Sequence, residues 1–253
     1  MASRRRPLAI AHRGASGECP ENTRAAFVKA VELGADMIEI DCQLTRDGAA
    51  VILHDETLER TTTGRGPVRD RTLREIRALD AGSWFAPAFA GERLPTLEET
   101  IEILRGKTSL NLELKGDDEP GRLELHCLGI LASYGYLGDT VFSSFSTRRM
   151  RVLRDCSPAA RIGILVESAR QWTSGLVLAA ELAAEAVHPE LSFVRPALVA
   201  EAHERGLEVR VWSVNRPKDI ERLAAWGVDA IFTDHPERVL RVQRAHGAPS
   251  LQT

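Results

Sequence analysis

The chain has 253 residues, of which 43% are hydrophobic, and this is enough to bury one sizeable core. Its 33 Lys and Arg residues against 36 Asp and Glu residues give a formal net charge of −3, so no positive field is available to recruit nucleic acid. No stretch approaches the roughly 18 apolar residues of a membrane span, and the N-terminal segment lacks the pattern of a signal peptide. We therefore expect a cytoplasmic protein without a nucleic-acid partner and without stable membrane insertion.

The four cysteines are scattered, with neither the CxxC spacing nor the nearby histidines of a zinc site. Because a cytoplasmic protein keeps its thiols reduced, we expect free cysteines rather than disulfides. The sequence leaves the oligomeric state open, and a homo-oligomer is compatible with it.

The first part of the chain contains two predicted strands, one helix and one hairpin. Residues 8–11 form a short apolar strand that ends at His12, and an amphipathic helix begins at Asn22 and stops at Gly34. Residues 37–44 (MIEIDCQL) form the second strand, and the run AVILH is its hairpin partner. Residues 56–95 contain several Gly and Pro and little periodicity. We predict that they form a small insertion or cap rather than a domain.

After this insertion, strands and helices alternate regularly. Predicted strands are SLNLELK, TVFSSF, RIGILVE, AEAVHPE, EVRVWSV and AIFTD, and the predicted helices around them run from 96 to 104, 121 to 134, 148 to 155, 172 to 184, 194 to 205, 217 to 226 and 236 to 244. Eight strand-helix units in all predict an α/β protein, a closed TIM (β/α)₈ barrel that forms a single domain over residues 1–253. An open doubly wound sheet is the alternative, but no GxGxxG follows the first strand.

The apolar stretch GSWFAPAFAG within the insertion is unusual for a loop. We expect it to be buried against the top of the barrel, with a lid for a lipid or substrate as the alternative.

Two predicted strands carry their polar residues on one face in a way that a simple core strand would not. Glu39 and Asp41 share a face of the second strand, and Asn111, Glu113 and Lys115 share a face of SLNLELK. In a barrel these polar faces point inward. Three inward carboxylates need a cation to stay ionised, and an all-oxygen ligand set favours Mg²⁺ or Ca²⁺, with Mn²⁺ as a further candidate. The alternative is a structural ion-pair cluster with Arg13 and Lys115.

Two histidines also fall at predicted strand ends, where a barrel places its active site. His12 ends the first strand and His54 ends the hairpin strand. Such a pair can supply an acid and a base near neutral pH. A metal ion together with Arg13 and Lys115 suits a substrate with negative charge, for which a phosphate ester is the natural candidate. For His188, at the end of AEAVHPE, a structural role is favoured over a place at the barrel mouth.

Several motifs in order along the chain resemble those of the glycerophosphodiester phosphodiesterases, in particular their compact bacterial type. They are HRGASGECPENTRAAF, EIDCQLTRDGAAVILHDETLERTTTG, LNLELK, VFSSF, VWSVN and GVDAIFTDHPE. The resemblance covers nearly the whole chain. It implies a TIM barrel with a small insertion after the His54 segment, and metal-dependent hydrolysis of glycerophosphodiesters, such as glycerophosphocholine and glycerophosphoethanolamine, to sn-glycerol 3-phosphate and an alcohol.

The resemblance also implies roles for individual positions. The catalytic histidines fall on His12 and His54, and the metal carboxylates on Glu39, Asp41 and Glu113. Contacts to substrate and phosphate fall on the residues Arg13, Lys115, Asn22, Trp212 and Phe145. Both aromatic residues have a second interpretation as core residues.

The mechanism that these residues suggest begins with attack of the substrate's own 2-hydroxyl on phosphorus, assisted by one histidine as base and the other as acid. Water then opens the cyclic phosphate with the roles exchanged. A related barrel that acts on lysolipids, such as a lysophospholipase D or a sphingomyelinase-D-like enzyme, has the same pattern and stays open. From another class, a non-catalytic barrel that binds phosphate esters is the alternative.

Overall fold

The computed structural model describes residues 6–245 of the chain. Within this range eight parallel strands form a closed ring, because β1 pairs with β2 on one side and with β9 on the other. The strands are β1 (Leu8–His12), β2 (Met37–Leu44), β4 (Ser109–Leu114), β5 (Thr140–Ser143), β6 (Arg161–Val166), β7 (Ala186–Pro189), β8 (Glu208–Val211) and β9 (Ala230–Thr233), in this order around the ring. The predicted TIM barrel is confirmed.

Helices connect the strands on the outside of this ring. They are α1 (Arg24–Leu33), α2 (Leu73–Arg77), α3 (Leu97–Leu104), α4 (Arg122–Ser133), α5 (Thr147–Cys156), α6 (Trp172–Glu181), α7 (Pro196–Glu204), α8 (Pro217–Trp226) and α9 (Pro236–Ala245). Several begin at side chains that cap the first turn, such as Thr23 before α1 and Thr96 before α3. Between residues 6 and 245, the helices are too short or too polar to cross a bilayer.

The main hydrophobic core lies between the strands and the helices. Ile38 and Ile40 of β2 and the three leucines of β4 are buried there together with helix residues such as Phe27 and Ile101. Since successive residues of a strand face opposite sides, this packing turns Glu39, Asp41, Asn111 and Glu113 toward the barrel interior. In these two strands the apolar side chains face outward to the helices and the polar side chains face the interior, which explains the unusual pattern seen in the sequence.

The hairpin extends β2 beyond the end of its neighbour β1. Residues 37–39 of β2 pair with β1, whereas residues 42–44 pair in antiparallel register with β3 (Ala50–Ile52). Immediately after β3 comes the insertion, residues 56–95. Its apolar side chains, together with those of the hairpin, form a small second core of Val51, Leu53, Leu58, Val68, Ile76, Ala81 and Leu94. The sequence did not predict helix α2, which has a capping box between Thr72 and Glu75.

The apolar stretch from residue 82 to residue 91 packs mainly on itself. Trp84 and Phe85 meet edge to face with ring centroids 5.6 Å apart, and Phe85 contacts Phe89 in the same way. The carboxylate of Asp80 stabilises the loop by accepting hydrogen bonds from the backbone N–H groups of Gly82, Ser83 and Gly91. Trp84 is 42% exposed, so the expected burial against the barrel is wrong for this side chain.

Some predicted strands end earlier than expected. TVFSSF forms a strand only as far as Ser143, so Phe145 lies in the following loop, and EVRVWSV forms a strand only as far as Val211, so Trp212 comes just after it. The four cysteines are free, as predicted. The Sγ atoms of Cys42 and Cys127 lie 3.8 Å apart, which is a contact between thiols rather than a covalent bond.

A further set of apolar side chains packs together inside the barrel and consists of Ile10, Met37, Val141, Ala230 and Phe232. His188 lies beside this cluster, is fully buried and has no hydrogen-bond partner on either ring nitrogen. Burial, and secondarily the charge of Arg210, lower the pKa of His188 well below its usual value, so the ring is neutral. A Cβ at Gly163 would lie 2.2 Å from its Nε2 atom. The histidine therefore has its role inside the barrel rather than at the mouth.

This close approach predicts that Gly163→Ala destabilises the fold by about 1–3 kcal/mol through overpacking. In a His188→Ala background the additional cost of the alanine should largely disappear, because the two sites are in contact. Urea unfolding of both single variants and the double variant measures this coupling. Gly129→Ala, whose Cβ meets nothing within 4 Å on helix α4, is the matched control and should not destabilise. Equal costs for Gly163→Ala in both backgrounds would contradict the proposed contact.

Candidate active site

A cavity of about 280 Å³ opens at the carboxyl ends of the barrel strands. This is the end at which TIM barrels carry out their chemistry. The cavity is lined by His12, Arg13, Glu39, His54, Asn111, Glu113, Ser143, Phe145, Leu165, Glu167, Trp212, Ser213 and Phe232. Residues from six different barrel strands and from the loops after them therefore face one space.

Three carboxylates meet at one side of the cavity. Pairing of β2 with β4 places Asp41 opposite Glu113, and pairing of β1 with β2 places His12 opposite Glu39. Glu39, Asp41 and Glu113 each offer an oxygen, and these three oxygens all lie within 4.8 Å of one another. All three residues are buried. This group, which we call the carboxylate triad, is the set of residues that the sequence suggested for a metal ion.

Two cations offset part of the charge of the triad. Lys115 Nζ lies 2.6 Å from Glu113 Oε1, outside hydrogen-bond geometry, and 3.4 Å from Asp41 Oδ1, while Arg13 Nε lies 3.4 Å from Asp41 Oδ2. Burial opposes ionisation of Asp41, but Lys115 and Arg13 outweigh it and lower the pKa of this carboxyl. Burial and the charge of Asp41 raise the pKa of Glu39 to about 8. The two cations therefore do not compensate all three carboxylates.

The donor chemistry of the triad fits a hard divalent cation. Buried oxygens without a hydrogen-bond partner are found on Asp41, Glu113, Asn22 and Asn111. Unsatisfied buried acceptors are costly, and a cation that prefers oxygen ligands would satisfy them. The triad could hold such an ion through Glu39, Asp41 and Glu113. The alternative of a purely structural ion-pair cluster accounts for the oxygens of Asp41 and Glu113, which lie beside Lys115, but leaves those of Asn22 and Asn111 without a partner.

His12 is oriented by a hydrogen-bond network at the seam where the first and last barrel strands meet. Its Nδ1 lies 2.7 Å from Asp234 Oδ1, and Ser16 Oγ donates to the same carboxylate oxygen. Asn215 Nδ2 donates to the other oxygen of Asp234, at 2.5 Å. Burial by itself lowers the pKa of His12, but the bond to Asp234 and the nearby Glu39 outweigh it and raise that pKa. The network leaves Nε2 as the ring nitrogen available to a substrate.

His54 is held at the end of the hairpin by contacts on both sides. Gln43 donates through Nε2 to the carbonyl oxygens of Leu53 (2.8 Å) and Asp55 (2.7 Å), the residues before and after the histidine. The ring Nδ1 lies 2.6 Å from Asp55 Oδ1. Burial, supported by the cations Arg13 and Lys115, lowers the pKa of His54 despite the charge of Asp41. Relative to an isolated histidine, the surroundings therefore stabilise the neutral imidazole of His54 and the imidazolium of His12.

An ion-pair chain connects Arg13 with His54. Arg13 donates to Glu21 Oε1 at 2.7 Å, and Arg60 of the insertion donates to both oxygens of Glu21 at 2.8 Å. Arg60 also donates to both oxygens of Asp55, at 2.6 and 2.9 Å. Desolvation opposes the charge on Glu21, but these arginines outweigh it and lower its pKa. The insertion is thus tied to the loop after β1 through one guanidinium.

The loop after β1 contains two residues in the left-handed backbone region. Arg13 has φ 57° and Asn22 has φ 56°, values that most residues with a side chain avoid. The Arg13 amide donates to Glu39 Oε2 at 2.9 Å, and Asn22 Nδ2 donates to Asp41 Oδ2 at 2.8 Å. Both residues with a strained backbone therefore contact the triad. Backbone strain of this kind is common at functional sites.

An aromatic pair also lines the cavity. The rings of Phe145 and Trp212 meet edge to face with centroids 5.6 Å apart. Trp212 Nε1 donates to the carbonyl oxygen of His188 at 2.7 Å, which fixes the indole. Phe145 is 47% exposed, so it is not a core residue.

Of the residues predicted for the site, His12, His54, Arg13, Glu39, Glu113, Phe145 and Trp212 line the cavity. Asp41 lies beneath them, fully buried, and both Lys115 and Asn22 contact it rather than the cavity. For Asn22 this differs from the expected substrate contact. No pattern in the sequence singles out Asp234, Asn215, Arg60 or Glu167. Asp234 could have been found, because it directly follows the last barrel strand, which neighbours the first.

A closed TIM barrel with a carboxylate triad and two histidines at its mouth defines a class of hydrolases acting on phosphate esters. Residues 12–238 match the sequence model of the glycerophosphoryl diester phosphodiesterase family. The chain belongs to this family and is an enzyme of the phosphoric diester hydrolase class.

Individual relatives agree over nearly the full length of the chain. A glycerophosphodiester phosphodiesterase of Caldanaerobacter subterraneus subsp. tengcongensis is 42% identical over 247 residues, which cover 95% of this chain and 99% of the relative. A Bacillus subtilis enzyme of the same name is 33% identical and covers 95% and 88%. Among solved structures, an Oleispira antarctica phosphodiesterase in complex with the product sn-glycerol-3-phosphate superimposes with a TM-score of 0.88, at 32% identity and 94% and 97% coverage.

The triad predicts stabilisation by a divalent cation. At 100 times its Kd a ligand stabilises by about 2.7 kcal/mol, which for a protein of this size raises Tm by about 5–10 °C. Glu39→Gln should abolish the rise while keeping the fold, because glutamine resembles the protonated Glu39. Thermal unfolding with Mg²⁺, Ca²⁺ and Mn²⁺ measures this, with the exposed Glu119→Gln as control. A full Tm rise in Glu39→Gln would contradict binding at the triad.

Proposed function

We propose that the protein hydrolyses glycerophosphodiesters, such as glycerophosphocholine and glycerophosphoethanolamine, to sn-glycerol 3-phosphate and an alcohol, and that it requires a divalent cation. One observation carries the proposal. Two histidines, each bonded through Nδ1 to a carboxylate, face the same cavity as a buried carboxylate triad. The product bound to the Oleispira antarctica relative supports the choice of substrate.

The proposed roles follow from position and charge. Glu39, Asp41 and Glu113 hold the cation, for which Mg²⁺ or Ca²⁺ are the first candidates and Mn²⁺ the third. The bound cation supplies positive charge that stabilises the negative charge that builds up on the phosphoryl group in the transition state. Arg13, which lines the cavity, contacts the phosphate, and Lys115 assists it. Phe145 and Trp212 contact the part of the substrate that lies beyond the phosphate.

A difference between the surroundings of the two histidines supports the roles proposed for them. His54, whose partner Asp55 is already paired with Arg60, stays neutral and acts first as the base. His12, whose pKa is raised by its bond to Asp234, acts first as the acid.

In the first step His54 takes the proton of the substrate's 2-hydroxyl, and the oxygen attacks phosphorus. The bond from phosphorus to the alcohol breaks, and His12 gives its proton to the departing alcohol oxygen. In the second step His12 takes a proton from water, the hydroxide attacks phosphorus, and the ring bond to the 2-oxygen opens. His54 returns its proton to that oxygen, which yields sn-glycerol 3-phosphate.

The interpretation as a lysolipid hydrolase had one supporting feature, the apolar stretch at residues 82–91. Residues of this stretch are absent from the lining of the cavity that the described part of the chain forms. A non-catalytic phosphate-ester barrel would need no pair of carboxylate-bound histidines facing the cavity. Neither alternative is therefore proposed.

Loss of either histidine should reduce turnover of glycerophosphocholine by about 10² to 10⁴ while leaving the fold intact. Release of glycerol 3-phosphate by wild type, His12→Ala and His54→Ala, at several concentrations of the metal ion, measures this. Circular dichroism checks folding. His203→Ala, a histidine outside the cavity, is the matched control. Near-wild-type turnover by both variants would rule out the mechanism, and faster cleavage of lysophosphatidylcholine than of glycerophosphocholine would favour the lysolipid enzyme.

The pair of histidines predicts a bell-shaped dependence of kcat/KM on pH. Activity falls as pH drops through the lowered pKa of His54, since the base becomes protonated, and falls as pH rises through the raised pKa of His12, since the acid loses its proton. Asp234→Asn removes the bond that raises the pKa of His12. It should move the alkaline limb down by about one pH unit, because a hydrogen bond to a charged group contributes roughly 1.5–3 kcal/mol.

The acidic limb should stay in place in Asp234→Asn. Asp229→Asn is the matched control, because Asp229 pairs with His203 at 2.8 Å outside the cavity. An alkaline limb that is identical in wild type and Asp234→Asn would show that His12 is not the acid.

A further inference from the structure

Glu167 lines the cavity but has no part in the chemistry described above. It directly follows β6 and continues the inward face of Leu165, which also lines the cavity. Its side chain is exposed, and among residues 6–245 its carboxylate forms neither an ion pair nor a hydrogen bond. Its backbone N–H donates to Gln171 Oε1 at 3.1 Å, which fixes the chain at this point. An unpaired negative charge therefore stands at the wall of the site.

Glu167 lies across the cavity from Arg13. In the ring order β1, β2, β4, β5, β6, β7, β8, β9, strand β6 lies across the barrel from β1. Arg13 follows β1 and is the candidate phosphate ligand. The carboxylate of Glu167 would repel a phosphate, and a neutral glycerol group would offer it no charge to pair with. The guanidinium of Arg13 and the free carboxylate of Glu167 thus lie on opposite walls of the cavity.

Aromatic rings accompany this carboxylate. Phe145 and Trp212, which line the same cavity, present one partly exposed edge-to-face pair. Aromatic rings together with a carboxylate attract ammonium and quaternary ammonium groups. Lys115 Nζ lies 5.6 Å from the Phe145 ring, but its charge is matched by Glu113 and Asp41 at 2.6 and 3.4 Å.

We infer that Glu167, with Phe145 and Trp212, forms a subsite for a cationic alcohol, so that zwitterionic glycerophosphodiesters with an ammonium group are preferred over diesters of neutral polyols. The assignment rests on the proposed function and specifies its substrate class. The phosphate would lie on the Arg13 side and the ammonium group on the Glu167 side. Because the contact is made equally before and during bond breaking, it acts mainly on KM.

The test compares kcat/KM for glycerophosphocholine and for glycerophosphoglycerol, in which the leaving alcohol is neutral. Wild type should prefer glycerophosphocholine, and Glu167→Gln should reduce this ratio roughly two- to fivefold, as expected for an ion pair at an exposed position. The loss should appear in KM, and Glu167→Lys should reduce the ratio further. Added salt should weaken the wild-type preference, since an exposed charge pair is screened.

Asp117→Asn is the matched control, because Asp117 is also an exposed carboxylate after a barrel strand but lies outside this cavity. Its ratio should equal that of wild type. A ratio unchanged by Glu167→Gln would overturn the subsite and leave the proposed function standing. If wild type hydrolysed neither diester at any metal concentration, the proposed function would fail and the subsite with it.

Discussion

The charge of Asp41 is the constraint on which the site depends. This carboxylate is fully buried and can stay ionised there only because Arg13, Lys115 and Asn22 surround it. Each partner in turn needs a partner of its own. From Asp41 the charges alternate through Arg13, Glu21, Arg60 and Asp55 to His54. A chain of ion pairs thus connects a histidine at the end of a hairpin with a carboxylate inside the barrel. Removal of any intermediate residue takes one partner from each of its neighbours.

Much of the architecture could be predicted from the sequence because the pattern of two strands is unusual. In MIEID and LNLEL the apolar residues alternate with acids, and the barrel explains both sets, since the apolar side chains face helices and the acids face the interior. The eight strands could be predicted because they alternate regularly with helices. His12 and His54 could be predicted as site residues because they lie at strand ends, and both face one cavity.

The rest depended on contacts between distant parts of the chain. The bond between His12 and Asp234 joins residues 222 positions apart, and it exists because the first and last strands close the ring. The insertion gave no periodic signal because its helix α2 has only five residues and its core is shared with the hairpin. Phe145 and Trp212 were assigned to strands, although each follows the end of its strand and owes its exposure to that place. Local patterns therefore revealed the elements, whereas the partners of the reactive groups required the closed barrel.

The small core beneath the insertion divides the site into two units. The carboxylate triad stands on β2 and β4, inside the barrel, whereas His54 is supported by a cluster that includes Val51, Leu53, Leu58 and Ile76. Regions with few apolar contacts open at lower free energy than a main core does. Local opening of this unit would withdraw one proton carrier and leave the acidic pocket intact. On the proposed function, binding of the ion and turnover would then be lost at different temperatures, and protein inactivated by gentle warming would still bind metal.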